Sequence, residues 1–105
     1  MTTIIPRFKL ILMYDILPDK QSHYFRYVQG EFVPSLRSLG LYMISAWHIA
    51  YGDYPSRQIE FAAESFEVIQ TAFDNPRWAR LESRLQSYTT EYSRKIIAFE
   101  DRFQF

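Results

Sequence analysis

Two residues of a predicted β-hairpin, His48 and Glu60, have the side chains of a general base and its partner. If the turn "DYPS" is centred on Tyr54, antiparallel pairing places Trp47 opposite Phe61 and His48 opposite Glu60. A carboxylate beside an imidazole raises the pKa of the imidazole and fixes its tautomer, which suits proton abstraction. A shift of the register by one residue would separate the two side chains. A charged pair that only closes a dimer is the alternative interpretation, and both stay open.

The same register divides the hairpin into two faces, because directly opposed residues share a face of the sheet. The face with the bulkier apolar side chains is predicted to lie beneath helices, and it consists of Met43, Trp47, Ile49, Ile59, Phe61 and Ala63. The other face has mostly small or polar side chains, which leave room for a ligand. Besides His48 and Glu60, the predicted ligand pocket consists of Tyr14, Tyr42, Ala46, Ala50, Gln58 and Ala62.

The elements that position these residues can be followed along the chain. A buried strand is predicted at 8–17, and an apolar stripe at helical spacing follows from Phe25 to Leu39, with Gly40 at the helix end. Gly30 and Pro34 predict a kink or break in that helix. The hairpin strands at 41–52 and 57–64 come next.

Two further helices follow the hairpin, one starting at Ser65 and one at Asn75-Pro76, and a last strand is predicted at "KIIAF". The second of these helices has an apolar stripe of Trp78, Leu81, Leu85 and Tyr88. The order β-α-β-β-α-β predicts an α+β, ferredoxin-like fold with a four-stranded antiparallel sheet and helices on one face. We expect residues 1–105 to form a single domain.

The face of the sheet away from the helices is predicted to be apolar. In "LYMISAWH" and "LILMY" both sets of alternating residues are apolar, so a single copy would expose a large apolar patch. We therefore expect a homodimer whose two open faces meet and enclose a barrel. The heavy aromatic content, 18% of the residues, also favours a partner copy or a small apolar or aromatic ligand.

Composition excludes several classes of protein. Lysine and arginine total 12 and aspartate and glutamate total 12, so the basic excess of a nucleic-acid binder is missing. Cysteine is absent, the two histidines lie in different elements, and no glycine-rich phosphate loop is present. We therefore expect no metal and no cofactor. Because neither a signal peptide nor a membrane helix is recognisable, we expect a cytoplasmic protein without a membrane partner.

Four short segments together resemble the NIPSNAP-like family of the dimeric α+β barrel superfamily, over roughly residues 8–99. They are "MYDILPDK" with Tyr14, "EFVPSLRSLG" with Pro34, "ISAWHIAYGD" with Trp47 and "DNPRWARL" with Trp78. The resemblance implies a homodimer and a barrel cavity, and it does not imply one reaction. Two positions depart from the family pattern. Ser45-Ala46 stand where a glycine is common, and Leu12 stands where an arginine is common.

Three functions remain as hypotheses. The first is a homodimeric small-molecule-binding barrel protein in which His48, if the protein is an enzyme, abstracts a proton without a cofactor. A cofactor-free monooxygenase of the antibiotic-biosynthesis type, to which the superfamily is related, is the alternative form of this hypothesis. The second is a non-catalytic module for dimerisation or protein interaction. The third, RNA binding, shares the topology, but the chain lacks the basic-aromatic pattern of such modules. Whether the protein is an enzyme stays open at this point.

Overall fold

The structure, a computed structural model, describes residues 5–51 and 54–99, and the side chains of all of these except 49–51 and 54–55. The strands are β1 (Phe8–Ile16), β2 (Tyr42–Tyr51), β3 (Tyr54–Ala63) and β4 (Thr89–Ala98). The helices are α1 (Gln21–Tyr27), α2 (Val33–Ser38), α3 (Phe66–Asp74) and α4 (Pro76–Gln86). A 3-10 turn at Pro18–Lys20 precedes α1, and a π-helical segment at Val28–Phe32 joins α1 to α2.

The four strands form one antiparallel sheet in the order β2-β3-β1-β4. The helices pack on one of its faces, so the predicted ferredoxin-like fold is confirmed. β4 begins earlier than the predicted "KIIAF", because the polar stretch before that segment also pairs with β1. None of the described helices is long and apolar enough to span a membrane.

The core lies between the sheet and the helices. Alternate side chains of the two central strands, Leu10 and Leu12 from β1 and Ile59 and Phe61 from β3, are buried there. Alternation with period two puts these residues on one face, as expected for a sheet covered on one side. The helices contribute the buried side chains of Tyr24, Tyr27, Val28, Phe32, Leu36, Ile69, Ala72, Trp78, Leu81 and Leu85.

The irregularity predicted near Gly30 and Pro34 is present as the π-helical segment. The backbone N–H of Val33 donates to the carbonyl of Val28, five residues earlier. Proline has no N–H to donate and its ring crowds the carbonyl four residues back, and the wider π turn accommodates both effects.

The π segment also changes which side chains are buried. The predicted stripe began at Phe25, but Phe25 is 38% exposed and Tyr24 is buried instead. A π turn takes more than four residues, so positions four apart stay on one face. Tyr24, Val28 and Phe32 are four apart, and all three pack in the core.

The predicted helix ends are confirmed. Ser65 Oγ accepts a hydrogen bond from the backbone N–H of Val68 at 3.2 Å, and Asn75 Oδ1 accepts one from Arg77 at 2.9 Å. Each side chain satisfies a donor at a helix start that has no partner within the helix. Gly40 follows α2 with a φ of 92°, a left-handed conformation that glycine adopts without steric cost.

Candidate functional site

The β2–β3 hairpin has a different register from the predicted one. His48 lies opposite Arg57, whereas the prediction placed it opposite Glu60, three residues further along the strand. The last pair of the hairpin is Tyr51 with Tyr54, so the hairpin is centred before Tyr54 and not on it. An odd shift moves every side chain of one strand to the other face of the sheet. The predicted faces are therefore exchanged for residues 46–48 of β2, whereas Tyr42 and Met43, opposite Ala62 and Phe61, lie on the faces predicted for them.

On β3 the predicted faces are confirmed, since Ile59 and Phe61 lie beneath the helices and Glu60 lies on the open face. On β2 they are wrong for Ala46, Trp47 and His48 and correct for Tyr42 and Met43. Trp47 lies opposite Gln58 on the open face and is 53% exposed. A register irregularity between Met43 and Ser45 adds one residue to β2 relative to β3, which the even alternation in the prediction did not include.

The predicted pair of His48 and Glu60 is consequently not formed, because the two residues lie on opposite faces. Glu60 is bound instead by Lys9 Nζ, 3.0 Å from Oε1, and by Gln58 Nε2, 2.7 Å from Oε2. Burial raises the pKa of Glu60, but the hydrogen bonds from Lys9 and Gln58 outweigh it and the pKa lies below its ordinary value. Glu60 is thus an ionised carboxylate with both oxygens occupied.

The remaining residues of the predicted pocket are divided between the two faces. The side chain of Ala50 lies outside the described residues. On the open face lie Tyr42, Gln58 and Ala62, whereas Tyr14 and Ala46 lie on the helix-covered face. Tyr14 is buried there, and Ala46 is exposed because β2 is an edge strand. The predicted pocket is therefore not one site.

A buried pair of tyrosines lies between β1 and α1. The hydroxyl groups of Tyr14 and Tyr24 are 2.5 Å apart, and the two rings meet edge to face. The ring of Tyr92 from β4 stacks on Tyr14 with the planes 12° apart. Burial raises the pKa of Tyr14 and of Tyr24, so both are neutral phenols that can donate a hydrogen bond.

The guanidinium group of Arg57 completes this cluster. Arg57 lies directly opposite Tyr14 in the sheet, and its Cζ is 5.4 Å from the centre of the Phe25 ring. Its positive charge opposes the rise in the pKa of both Tyr14 and Tyr24. Within residues 5–51 and 54–99, Arg57 forms no ion pair with a carboxylate, and its buried Nε has no hydrogen-bond partner.

We call Tyr14, Tyr24, Phe25, Arg57 and His48 the Arg57 cluster. His48 and Phe25 are exposed, so the cluster is open to solvent between α1 and the edge strand. A fixed cation, an aromatic ring and phenolic donors together suit an aromatic compound with a negatively charged oxygen. Among the described residues, no group of three or more histidine, aspartate or glutamate side chains could hold a metal ion.

Three members of this cluster, Tyr24, Phe25 and Arg57, were not among the predicted site residues. A signal for Tyr24 was present, because Tyr24, Val28 and Phe32 are spaced by four. Arg57 had no comparable signal, since its position opposite Tyr14 depends on a pairing between distant strands.

No protein-family model and no curated protein matches the chain. Among solved structures, two NIPSNAP family proteins from Agrobacterium tumefaciens match it with a TM-score of 0.67 each. One is 16% identical over 90% of this chain and 94% of its own, and the other, of unknown function, is 17% identical over 94% and 92%.

A third solved structure is that of an enzyme. A monooxygenase from the gene ActVA-Orf6 of Streptomyces coelicolor, in complex with the ligand nanaomycin D, matches with a TM-score of 0.65 and 19% identity over 95% of this chain and 91% of its own. Identities this low establish a shared fold and no shared activity. The chain thus has the fold of the NIPSNAP family proteins and of related dimeric α+β barrel proteins.

Proposed function

We propose that this protein is a homodimeric α+β barrel that binds a small aromatic compound at the Arg57 cluster. The observation that carries the proposal is the half-buried guanidinium of Arg57, which has an unused buried donor and no carboxylate partner among the described residues. An unsatisfied buried donor on a cation is costly unless a further group binds it. A ligand oxygen with negative charge would satisfy it.

The ligand class follows from the neighbours of Arg57. The ring of Phe25 lies beside the guanidinium and is partly exposed, so it offers an apolar surface on which a second ring can pack. The hydroxyls of Tyr14 and Tyr24 are neutral, and because one of them donates to the other, the pair keeps one hydrogen to donate and adds no charge. These groups favour a phenolate or enolate of an aromatic compound over a compact inorganic anion. Leu12 of β1 stands where an arginine is common in the resembling family. Arg57 supplies a cation from β3, the strand paired with β1.

The catalytic form of the proposal uses His48 as the base. His48 and Arg57 are directly opposed residues of neighbouring strands, so their side chains leave the same face of the sheet. The imidazole would take a proton from the ligand, and Arg57 would hold the oxygen on which the negative charge develops. This pairing of a base with a cation replaces the predicted pairing of His48 with Glu60.

The binding proposal is tested by titrating the purified protein with nanaomycin D, the ligand of the Streptomyces neighbour, and following tryptophan fluorescence. Arg57→Met is expected to weaken binding about 30- to 100-fold, because a charged hydrogen bond contributes about 2 kcal/mol or more. The matched control is Arg7→Met, which removes an exposed arginine before β1, at the far end of that strand from Tyr14, and is expected to change the affinity less than about twofold. Equal affinity of the wild-type protein and Arg57→Met would contradict the proposal.

A monooxygenase reaction is a second candidate, favoured by the fold shared with the Streptomyces monooxygenase. His48 would remove a proton from an activated CH₂ group of the substrate, and the carbanion would reduce dioxygen. One oxygen atom would form a carbonyl on the substrate and the other would leave as water, so the substrate supplies all four electrons.

This second candidate is tested by measuring dioxygen consumption with 1,8-dihydroxyanthrone as substrate. A protein-dependent rate that falls about 100-fold in His48→Ala supports it. A rate equal to that of the buffer alone, with nanaomycin D still bound, leaves a binding protein and excludes this oxidation.

The homodimer is supported by the open face of the sheet. Trp47 and Ile97 are exposed there, next to the pair of Lys9 and Glu60. Exposed apolar side chains on a sheet face are typical of an interface. Light scattering after gel filtration is expected to give the mass of a dimer for the wild-type protein and for Trp47→Phe, and that of a monomer for Trp47→Glu. A wild-type protein with the mass of a monomer would contradict the proposed homodimer.

A further inference from the structure

A group of three arginines, separate from the Arg57 cluster, lies on the outer surface of the helical layer, away from the sheet. A groove runs between α4 and the π segment with the start of α2, and we call it the α4 groove. It is lined by Glu31, Ser35, Arg77, Arg80, Leu81 and Arg84. Three of these six residues are arginines, whereas the whole chain has a formal net charge of zero. The groove is therefore a local concentration of positive charge.

The three arginines lie on one side of α4, because they are three and four residues apart. The helix rises 1.5 Å per residue, so the stretch from Arg77 to Arg84 covers about 10 Å. Positive side chains at this spacing repel one another and destabilise a helix by a few tenths of a kcal/mol per pair. Arg77 also lies in the first turn, where no acidic residue is present and the helix dipole favours negative charge.

The two outer arginines are held in place. The guanidinium of Arg84 donates to Glu31 at 3.2 Å and to the hydroxyl of Tyr88 at 3.3 Å, and its Cζ lies 4.9 Å from the centre of the Tyr27 ring. Arg77 donates to the hydroxyl of Ser38 at 3.4 Å. Guanidinium groups held in this way lose little side-chain entropy when they bind an anion.

Arg80 lies between these two arginines and has no such partner. It forms neither an ion pair nor a side-chain hydrogen bond within the described part of the chain. Among the described residues that line the groove, Glu31 alone has a carboxylate, and it is bound to Arg84. The groove thus has more positive charge than its own acidic residue balances.

We propose that the α4 groove binds the phosphate group of a phosphorylated small molecule. Several donors that converge on one groove suit the three terminal oxygens of a phosphate better than the two oxygens of a carboxylate. A bound phosphate would also relieve the repulsion along α4 and place negative charge at its N-terminal turn. The groove is on the far side of the helices from the open face of the sheet, so this binding is independent of the homodimer.

The test uses pyrophosphate as the probe, in isothermal titration calorimetry at about 20 mM ionic strength, where screening is weak. The wild-type protein is expected to bind pyrophosphate with saturation at one equivalent per chain. Arg80→Ala is expected to weaken binding about tenfold, the loss of roughly 1.4 kcal/mol. Arg80 has no ion pair or side-chain hydrogen bond with the described residues, and its removal relieves the repulsion along α4. Without ligand, this variant is therefore expected to melt at the temperature of the wild-type protein or slightly above it.

The matched control is Arg7→Ala, which removes the same charge from an exposed position outside the groove. It is expected to change the affinity less than about twofold at this ionic strength. Equal weakening by Arg7→Ala and Arg80→Ala would show attraction by overall charge and would overturn the proposal. The absence of saturable binding to the wild-type protein would overturn it too.

Discussion

The two faces of the sheet each hold a charged residue on β3, and the two charges are treated differently. On the open face, the carboxylate of Glu60 is bound by Lys9 and Gln58, so each of its oxygens has a partner. On the helix-covered face, the guanidinium of Arg57 lies against Phe25, and its Nε has no hydrogen-bond partner among the described residues. Both residues are shielded from solvent to some degree, and they are only three positions apart along the same strand.

This difference separates a charge that stabilises the fold from one that is available to a ligand. A charged group whose hydrogen bonds are complete within the protein has no free donor or acceptor for a ligand, and its removal leaves its partners without a hydrogen bond. A cation without a counter-ion is already costly, so removing it leaves no opposite charge behind. We therefore assign Glu60 a role in stability, and Arg57 is the better candidate for ligand binding.

The largest expected effect tests this difference directly. Lys9→Met leaves the buried carboxylate of Glu60 without its ion pair and is expected to lower the free energy of unfolding by about 2 kcal/mol. Arg57→Met, in contrast, is expected to change it by less than about 1 kcal/mol. Urea unfolding of the two variants and the wild-type protein measures both values. An Arg57→Met variant that loses more stability than Lys9→Met would reverse the assignment of the two charges.

A slightly smaller effect is expected within the Arg57 cluster. Tyr24→Phe removes one partner of the buried hydroxyl pair and leaves the hydroxyl of Tyr14 unsatisfied, which is expected to cost about 1 to 2 kcal/mol. The double variant Tyr14→Phe/Tyr24→Phe leaves neither hydroxyl behind and is expected to cost less than the sum of the two single variants. Unfolding free energies of the four proteins measure the coupling, and additive losses would mean that the hydroxyls do not interact.

The pH dependence of stability gives a third comparison. The pKa of Glu60 in the folded protein lies below its ordinary value of 4.5, so its ionised form stabilises the fold. This contribution is fully present above the pKa of the unfolded chain, and it is lost as the pH falls through the lower folded pKa. The loss is expected to be no more than about 1 kcal/mol. Denaturation between pH 6 and pH 3 is expected to show a shallower decline for Glu60→Gln than for the wild-type protein, and parallel curves would exclude this linkage.

The smallest effect is expected at His48. Its side chain is exposed and has no hydrogen bond or ion pair with any of the described residues, so His48→Ala is expected to change the free energy of unfolding by less than about 0.5 kcal/mol. Thermal unfolding measures this change, with Ala46→Gly on the same strand as a comparison. A loss of more than about 1 kcal/mol would assign His48 a structural role in place of the proposed chemical one.

The fold could be predicted from the sequence because its signals are local. The caps at Ser65 and Asn75 and the left-handed glycine at Gly40 each depend on one or two residues and their neighbours. Pro34 likewise marked the irregular turn, although it did not reveal that the turn is π-helical. The order of elements then restricted the sheet to a ferredoxin-like arrangement.

The site was predicted less well, because it depends on the pairing of strands. In β2 both alternating sets of residues are apolar, so the pattern did not say which set faces the helices. The prediction therefore depended on an assumed turn centre, and the resulting register was wrong by three residues. As a result, Trp47 was predicted beneath the helices and His48 on the open face, and each lies on the opposite face. On β3 the charged Glu60 alternates with Ile59 and Phe61, and there the faces were predicted correctly.

The edge strand β2 has a consequence for handling the protein in solution. Its ten residues include neither lysine nor arginine nor an acidic residue, and Met43 and Ile44 are about half exposed. An apolar edge strand without a charged side chain offers its free backbone groups to any other extended chain. We therefore expect association along this strand at high protein concentration, and we expect Ile44→Lys to reduce it.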